Sequence, residues 1–301
     1  MSIPTTSGRL LLVDAHALAY RSFYGIRNLK SAGGMPTNAI YGFIKALDRM
    51  RAALSPTHWM VIWDGGLAAE RLAALPEYKA QRPPMPDDLR QQLDGINEYL
   101  DAAGIVHHCE AGEEADDRIA TVTRLAGEAG LAVVIASPDK DFLQLVADQV
   151  GVWSPNDKSG VVWGREQVVH KTGVPPEQIV DWLSLVGDAV DNIPGVPGVG
   201  PKTAAELLCQ YGKLEALYAT GGGAFPDKLR ASLSSSRELV FRNRQLVRLN
   251  QDLPGEVDWR KCMVHPPDTE ALQRLFERWD FKSMSGPPKP LQATQAELFS
   301  G

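Results

Sequence analysis

Apolar residues follow two rhythms along this chain. Short continuous runs, each leading into aspartate, alternate with stretches in which apolar residues recur at helical spacing. The runs are RLLLVD at 9–14, HWMVIWD at 58–64 and LAVVIASPDKD at 131–141. Leu/Val/Ile runs this short read as strands buried on both faces of a parallel sheet. A short strand over Ile105–His107 and an edge hairpin, VGVWSP with GVVWG around Asp157 and Lys158, extend it. Predicted helices lie between the strands. One follows Asp14 and carries Tyr20 and Arg21; one runs from Asn38, as its cap, to Leu54; one covers Leu89 to Ala103. Another has Ile119, Val122, Leu125 and Ala126 on one face. Strand and helix in alternation predict an α/β fold, a mostly parallel central sheet flanked by helices.

Beyond Glu166 the pattern turns helical. Pro175 and Pro176 open a helix through Leu185 that leads into the stretch 186–208; after it two or three helices reach about Asn250, and a last one covers 266–279. From Ser283 the chain is rich in Pro, Gly, Ser and Gln, the composition of a flexible tail. Residues 65–88 fit neither rhythm. They hold Arg71, Tyr78, Lys79 and Arg82 among four prolines, and long polar connections of this kind are more often functional than idle.

Carboxylates mark the element ends. Five acids crowd into 110–117: Glu110, Glu113, Glu114, Asp116 and Asp117. The helix that begins here gains from one or two acids at its N-terminus through its dipole, and Glu114 and Asp117 share a face. Asp14, Asp64 and the Asp139/Asp141 pair follow three separate strands, so a doubly wound sheet gathers them at its carboxyl edge. Asp188 and Asp191 lie three apart and share a face if that segment is helical. Neither His nor Cys accompanies these acids. Converging carboxylates repel unless a hard cation sits among them, and all-oxygen sites suit Mg²⁺ or Mn²⁺, not Zn²⁺. Two-metal carboxylate sites serve phosphoryl chemistry, whereas glycoside hydrolysis uses a pair of carboxylates and leaves nine unexplained.

The glycine-rich stretch GVPGVGPKT at 195–203 has the spacing of a phosphate loop at Gly195 and Gly200, but Pro201 stands where that motif needs Lys. It reads instead as a tight turn between two helices whose amides face a DNA phosphate, with Lys202 and Thr203 opening the second helix. Residues 186–250 hold eight basic residues against six acids. Apart from Asp188 and Asp191 this is the basic part of the chain, as a duplex-binding face requires.

Composition narrows the rest. A hydrophobic fraction of 44 % is that of a water-soluble globule, and no apolar run has membrane-spanning length. Three widely spaced cysteines suit a reducing cytosol, not a disulfide framework or a zinc site. The six histidines are scattered, and His107 and His108 read as structural or solvated. A net charge of −6 counts against general attraction to nucleic acid, unless bound cations neutralise the clustered acids.

Taken together, LLVDAHALAYRSF, PTNAIYGF, the Asp64–Arg82 segment, EADD, SPDKDFLQLV and GDAVDNIPGVPGVGPKTA resemble the 5′-nuclease family. That family comprises the 5′→3′ exonuclease domain of bacterial DNA polymerase I and the flap endonucleases. The resemblance runs from about Arg9 to Leu249. It implies a PIN-like core over 1–180 with a helical arch over about 65–103. A helical DNA-binding region over 181–282, with a helix–three-turn–helix element, and a tail over 283–301 would follow. It also implies that Asp14, Asp64, Glu114, Asp116, Asp117, Asp139, Asp141, Asp188 and Asp191 occupy metal-ligand positions for two Mg²⁺ or Mn²⁺ ions. Asp117, Asp188 and Asp191 would act more through water. Lys79, Arg82 and Arg21 would be catalytic, near the scissile phosphate. Arg71, Tyr78, Gly195, Gly198, Gly200, Lys202 and Thr203 would contact DNA, with K⁺ at the glycine-rich turn. Ala15, where many members have Gly, and Glu70, where an aromatic usually stands, depart from the pattern and bear on the packing of the arch.

The expected activity is two-metal hydrolysis of DNA phosphodiesters, as a stand-alone, monomeric 5′→3′ exonuclease and flap endonuclease of the bacterial cytoplasm and nucleoid. Expected substrates are DNA with a 5′ flap, overhang or nick, met in replication and repair. QAELF near the end, with Gln295, Leu298 and Phe299, resembles the short peptides that bind the bacterial sliding clamp. A PIN-type ribonuclease would share the sheet but lack the element at 186–203. A branched-DNA binding module with a decayed site would not retain every acid.

Overall fold

The computed structural model describes residues 8–155, 160–220 and 225–284. The chain opens with β1 (Arg9–Asp14), α1 (Ala15–Gly25), α2 (Asn38–Leu54) and β2 (His58–Ile62). Next come α3 (Ala69–Ala74), α4 (Asp87–Ala102), β3 (Val106–His108), α5 (Ala115–Glu128) and β4 (Ala132–Ala136). A 3₁₀ turn over Lys140–Leu145 leads to β5 (Val150–Trp153), β6 (Val162–Trp163) and α6 (Arg165–Thr172). After α7 (Ile179–Val186) the chain is helical: α8 (Pro201–Tyr211), α9 (Leu214–Ala219), α10 (Asp227–Ser235), α11 (Arg237–Val247), α12 (Trp259–Cys262) and α13 (Thr269–Arg278).

The strands form one sheet in the order β3-β2-β1-β4-β5-β6. All pairings are parallel except β5 with β6, the expected edge hairpin. From β1 the chain winds outward through β2 and β3, then returns to place β4 on the other side of β1. The crevice beyond the carboxyl ends of β1 and β4 is therefore the switch point where doubly wound sheets bind ligands.

Strand side chains alternate between two cores, as a pleat buried on both faces requires. Leu10, Leu12, Met60 and Ile62 pack with α5 and with residues of α7, α8 and α11. Leu11, Val13, Trp59 and Val61 pack with α1, α2 and α4. The expected boundary near 180 is thus not a break in the core, because Leu183, Leu207 and Leu246 share a cluster with the sheet. The expected 181–282 region also divides: Trp279 and Phe281 return to the opposite face, beside Ile40 and Tyr99.

One local expectation changes. Asn38 is the first residue of α2, not its cap; its Nδ2 donates to the Phe23 and Ile26 carbonyls, tying α2 to the end of α1. Gln92 of α4 supplies the missing acceptor, its Oε1 taking the Ala39 and Ile40 amides at 2.7 and 3.3 Å. Among the described residues, α9, α10 and α11 follow α8, within the expected two or three helices. Gln295, Leu298 and Phe299 of the expected clamp peptide lie outside the described residues.

Candidate functional site

At the switch point lies an open cleft of about 500 Å³. Six carboxylates line it: Asp14, Asp64, Asp116, Asp139, Asp188 and Asp191. They come from the ends of β1, β2 and β4, from the first turn of α5, and from the turns after α7. Asp14 ends β1 and caps α1, its Oδ1 accepting the Ala17 amide at 3.1 Å. Its Oδ2 accepts from Ser137 Oγ at 2.8 Å, and the same hydroxyl takes the Asp139 amide at 3.1 Å. One serine at the end of β4 thus sets the spacing of two acids that are 125 residues apart in sequence. Asp139 Oδ1 in turn holds the Asp141 amide at 2.9 Å, which starts the 3₁₀ turn. Asp64 is placed by its amide, which donates to His16 Nδ1 at 3.1 Å.

Asp188 and Asp191 do not share a helix. α7 ends at Val186, and the chain reverses through Gly187 (φ +75°) into a loop closed by paired Asp188–Ile193 hydrogen bonds of 2.8 and 2.7 Å. A Cβ on Gly195 would stand 2.0 Å from the Val186 carbonyl oxygen, so only glycine lets the loop fold back on α7. That reversal, rather than helical periodicity, brings the two aspartates together with Asp141. One carboxylate oxygen from each of Asp141, Asp188 and Asp191 lies within 4.8 Å of the others.

Burial dominates the electrostatics. It raises Asp14 from 3.8 to about 6, offset by the bonds from Ala17 and Ser137 and reinforced by Asp139 and Asp64. It raises Asp116 to about 7, against the opposing pull of Lys79 and Arg71. Asp139 and Asp141 also rise, first through burial and then through their neighbouring carboxylates. Glu114 moves the other way: burial pushes it up, but Lys79 and Arg71 bring it below its usual range.

The residues of the 65–88 segment divide sharply. Arg71 is 6 % exposed, and its guanidinium grips Asp117 through both oxygens at 2.8 and 2.7 Å. It also reaches Glu114 at 2.9 Å and donates to the Leu246 and Arg248 carbonyls. Tyr78 is 2 % exposed and donates to Glu114, which also takes the Lys79 ammonium and the Ala68 amide. Arg71 and Tyr78 are therefore internal ties rather than surfaces for DNA, because their polar atoms are spent inside the protein. Glu114 and Asp117 are not among the cleft's lining residues; Glu114 is held by the segment that crosses α5, and Asp117 by Arg71 and the Asn250 amide. Lys79 and Arg82 do line the cleft, and Arg82 pairs with Asp191. Arg21 is not among the lining residues; burial and nearby Arg49 both lower its pKa.

In the glycine-rich turn, Gly198 and Gly200 open onto space, with nothing within 4 Å of a Cβ, and Lys202 is exposed beside them. Thr203 is half-buried. Of the two departures, Ala15 is fully buried at the start of α1 and Glu70 is exposed on α3. Sequence reasoning missed Ser137, His16, Tyr20 and Lys140. Tyr20 lines the cleft, and Lys140 sits 3.2 Å from Asp188. Their common signal is position, within three residues of a strand-end aspartate or on the helix that follows it.

The donor set fits divalent cations. It is all oxygen, it gathers from several elements, and Asp141 Oδ1 is buried with no hydrogen-bond partner. Such an atom is costly unless a cation completes it.

Fold and cleft define an α/β protein built around a carboxylate-rich crevice, with a helical region packed against it. Residues 9–173 match the 5′-3′ exonuclease, N-terminal resolvase-like domain, and residues 174–270 match the 5′-3′ exonuclease, C-terminal SAM fold. The chain belongs to the 5′-3′ exonuclease family. A 5′-3′ exonuclease of Aquifex aeolicus is 37 % identical over 293 residues, covering 96 % of this chain and 99 % of that protein. DNA polymerase I of Mycobacterium tuberculosis is 40 % identical over 282 residues, covering 91 % of this chain. The chain spans about a third of the length of such polymerase relatives, 30 % in that case. Among solved structures, bacteriophage T5 flap endonuclease in a pseudo-enzyme–product complex with DNA and metal ions aligns with a TM-score of 0.66. It is 24 % identical, with 80 % of this chain and 89 % of that one covered. The catalytic core of Rad2 with DNA substrate aligns at 0.62, with 18 % identity over 93 % of this chain and 90 % of that one. At these identities the likeness establishes the fold.

Proposed function

We propose that this chain is a metal-dependent 5′→3′ exonuclease and flap endonuclease that hydrolyses DNA phosphodiesters. The observation that carries this reading is the convergence of six aspartates on one cleft at the sheet's switch point, with Lys79 and Arg82 on the same walls. Asp14, Asp64, Asp116, Asp139, Asp141, Asp188 and Asp191 would hold two Mg²⁺ or Mn²⁺ ions. Bound there, the ions supply the charge that activates water and stabilises the leaving oxygen of an in-line displacement.

The chain's own residues do the rest. Ser137 fixes the spacing of Asp14 and Asp139, and His16 fixes Asp64, so the carboxylates are set before substrate arrives. Arg71 and Glu114 anchor the segment that carries Lys79 and Arg82. Those two cations face the cleft, where a phosphate would exchange carboxylate partners for its own oxygens. The open amides at Gly198 and Gly200, with Lys202 and Thr203, would take the duplex backbone, with K⁺ bound at that turn. Gln295, Leu298 and Phe299 would tether the enzyme to the sliding clamp and raise its local concentration at flaps. The proposed setting is flap and primer removal in replication and repair, by a monomer at the bacterial nucleoid.

The test is incubation with labelled 5′-flap DNA and matched RNA, in Mg²⁺ and in EDTA. Cleavage of DNA alone, and only with Mg²⁺, is expected; no product with any divalent ion overturns the reading. Loss of clamp pulldown on deleting 291–301, with short-flap cleavage intact, is expected of the tail.

A further inference from the structure

Two residues outside glycine adopt left-handed backbone on facing loops beside the cleft. Lys79 has φ +56° and Asn192 has φ +59°. They are linked reciprocally. The Lys79 amide donates to the Asp191 carbonyl at 3.0 Å, and Asn192 Nδ2 donates to the Glu77 carbonyl at 2.9 Å. Lysine gains nothing from left-handed backbone, whereas asparagine tolerates it. The Lys79 conformation therefore persists because its surroundings hold it. Asn192 belongs to the loop that runs directly into the glycine-rich turn. Lys79 belongs to the segment that carries the cleft's cations.

We infer that Asn192 is a positioning residue that locks the 77–82 segment onto the 188–193 loop and so holds Lys79 and Arg82 at the carboxylates. This rests on the proposed nuclease reading and adds to it the tie between these two loops. The geometry is specific. The side-chain amide spans from one loop to the other loop's main chain, so no side chain of 77–82 replaces it. The left-handed turn at Asn192 directly follows the Asp191 carbonyl that accepts the Lys79 amide. The same placement puts the Asp191 carboxylate against Arg82 and within 4.0 Å of the Lys79 ammonium. Among the described residues the Asn192 side chain bonds the Glu77 carbonyl and no carboxylate, so it acts through position.

The test compares wild type with Asn192→Gly, Asn192→Asp and Asn192→Ala in the full chain. Gly and Asp both accept positive φ but cannot donate to the Glu77 carbonyl. In both, amide exchange at residues 77–82 should quicken at least tenfold, with exchange in β1 and β4 unchanged. Single-turnover cleavage of a 5′-flap DNA at saturating enzyme should fall about tenfold to a hundredfold, while the Kd for that DNA stays within threefold of wild type. Wild-type exchange and cleavage in both variants overturns the inference. An effect confined to Asn192→Ala assigns the residue to backbone strain alone and also overturns it, as does a weakened Kd with an unchanged saturating rate. If wild type cuts no DNA with any divalent ion, the nuclease reading fails, while the exchange result still decides whether Asn192 locks the two loops together.

Discussion

Arg71 holds Asp117 by two parallel hydrogen bonds of 2.8 and 2.7 Å, and both side chains are buried. The pair joins α3 to the acidic helix α5. Through the Leu246 and Arg248 carbonyls, it also joins both to the end of α11. One guanidinium therefore fixes the base of the 65–88 segment, the helix bearing Asp116, and the helical region. Asp117 also takes the Asn250 amide at 2.8 Å, which closes the joint.

Removing one partner of such a pair leaves a buried charge uncompensated. Arg71→Ala should cost about 3–5 kcal/mol, read from the midpoint of denaturant unfolding. Arg71→Lys should recover only part of that loss, because an ammonium cannot form the bidentate fork. Full stability in Arg71→Lys would show that charge alone, and not the fork, holds the joint.

The pH dependence of the metal-free protein follows from Asp14 and Asp116, whose pKa values rise from 3.8 to about 6 and about 7. Between those values and 3.8 the folded state binds more protons than the unfolded chain, so stability falls as pH rises. That contribution is fully present below 3.8 and lost as pH passes through 6 to 7. Glu113 and Glu114, both lowered from 4.5, work in the opposite sense at acid pH. In chelator, Tm should therefore be highest near pH 5 and drop by several degrees toward pH 8, about 2–4 °C for each kcal/mol. Divalent cation should restore more at pH 8 than at pH 5, with proton release on binding near pH 6.5 measured by calorimetry in two buffers. A Tm in chelator that is flat or rises with pH contradicts the raised values.

Asp141 carries the sharpest metal prediction. Its Oδ1 is buried without a partner, among neighbouring carboxylates that push its pKa further up. Asp141→Asn should leave metal-free stability unchanged or increased, because a crowded carboxylate is replaced by a neutral amide. Divalent affinity, by titration calorimetry, should fall at least tenfold. Undiminished affinity would place the cations elsewhere in the cleft.

Two glycines separate packing from recognition. Gly195→Ala should destabilise the protein by about 1–3 kcal/mol, because its Cβ would stand 2.0 Å from the Val186 carbonyl. Gly200→Ala meets open space at φ −94° and should cost about 1 kcal/mol or less, but weaken duplex binding severalfold. Both are read by thermal unfolding and by fluorescence anisotropy with a labelled duplex. A stable Gly195→Ala variant would mean that the loop closes another way.

The sequence by itself determined the sheet, the acids and the kinship. Apolar runs ending in aspartate are local patterns, and a parallel sheet necessarily collects strand ends at one edge, so Asp14, Asp64 and Asp139 were placeable without coordinates. Side-chain direction was not. Glu114, Asp116 and Asp117 are near neighbours in one short stretch, yet only Asp116 faces the cleft, because Arg71, Tyr78 and Lys79 arrive from elsewhere to occupy Glu114 and Asp117. The meeting of Asp188 and Asp191 with Asp141 likewise depends on a glycine fitting against a distant carbonyl, not on helical periodicity. Periodicity records what each residue's neighbours in the chain require. Which carboxylates remain free for a cation is settled by partners 35 to 133 positions away, and only the packed structure brings those partners into contact.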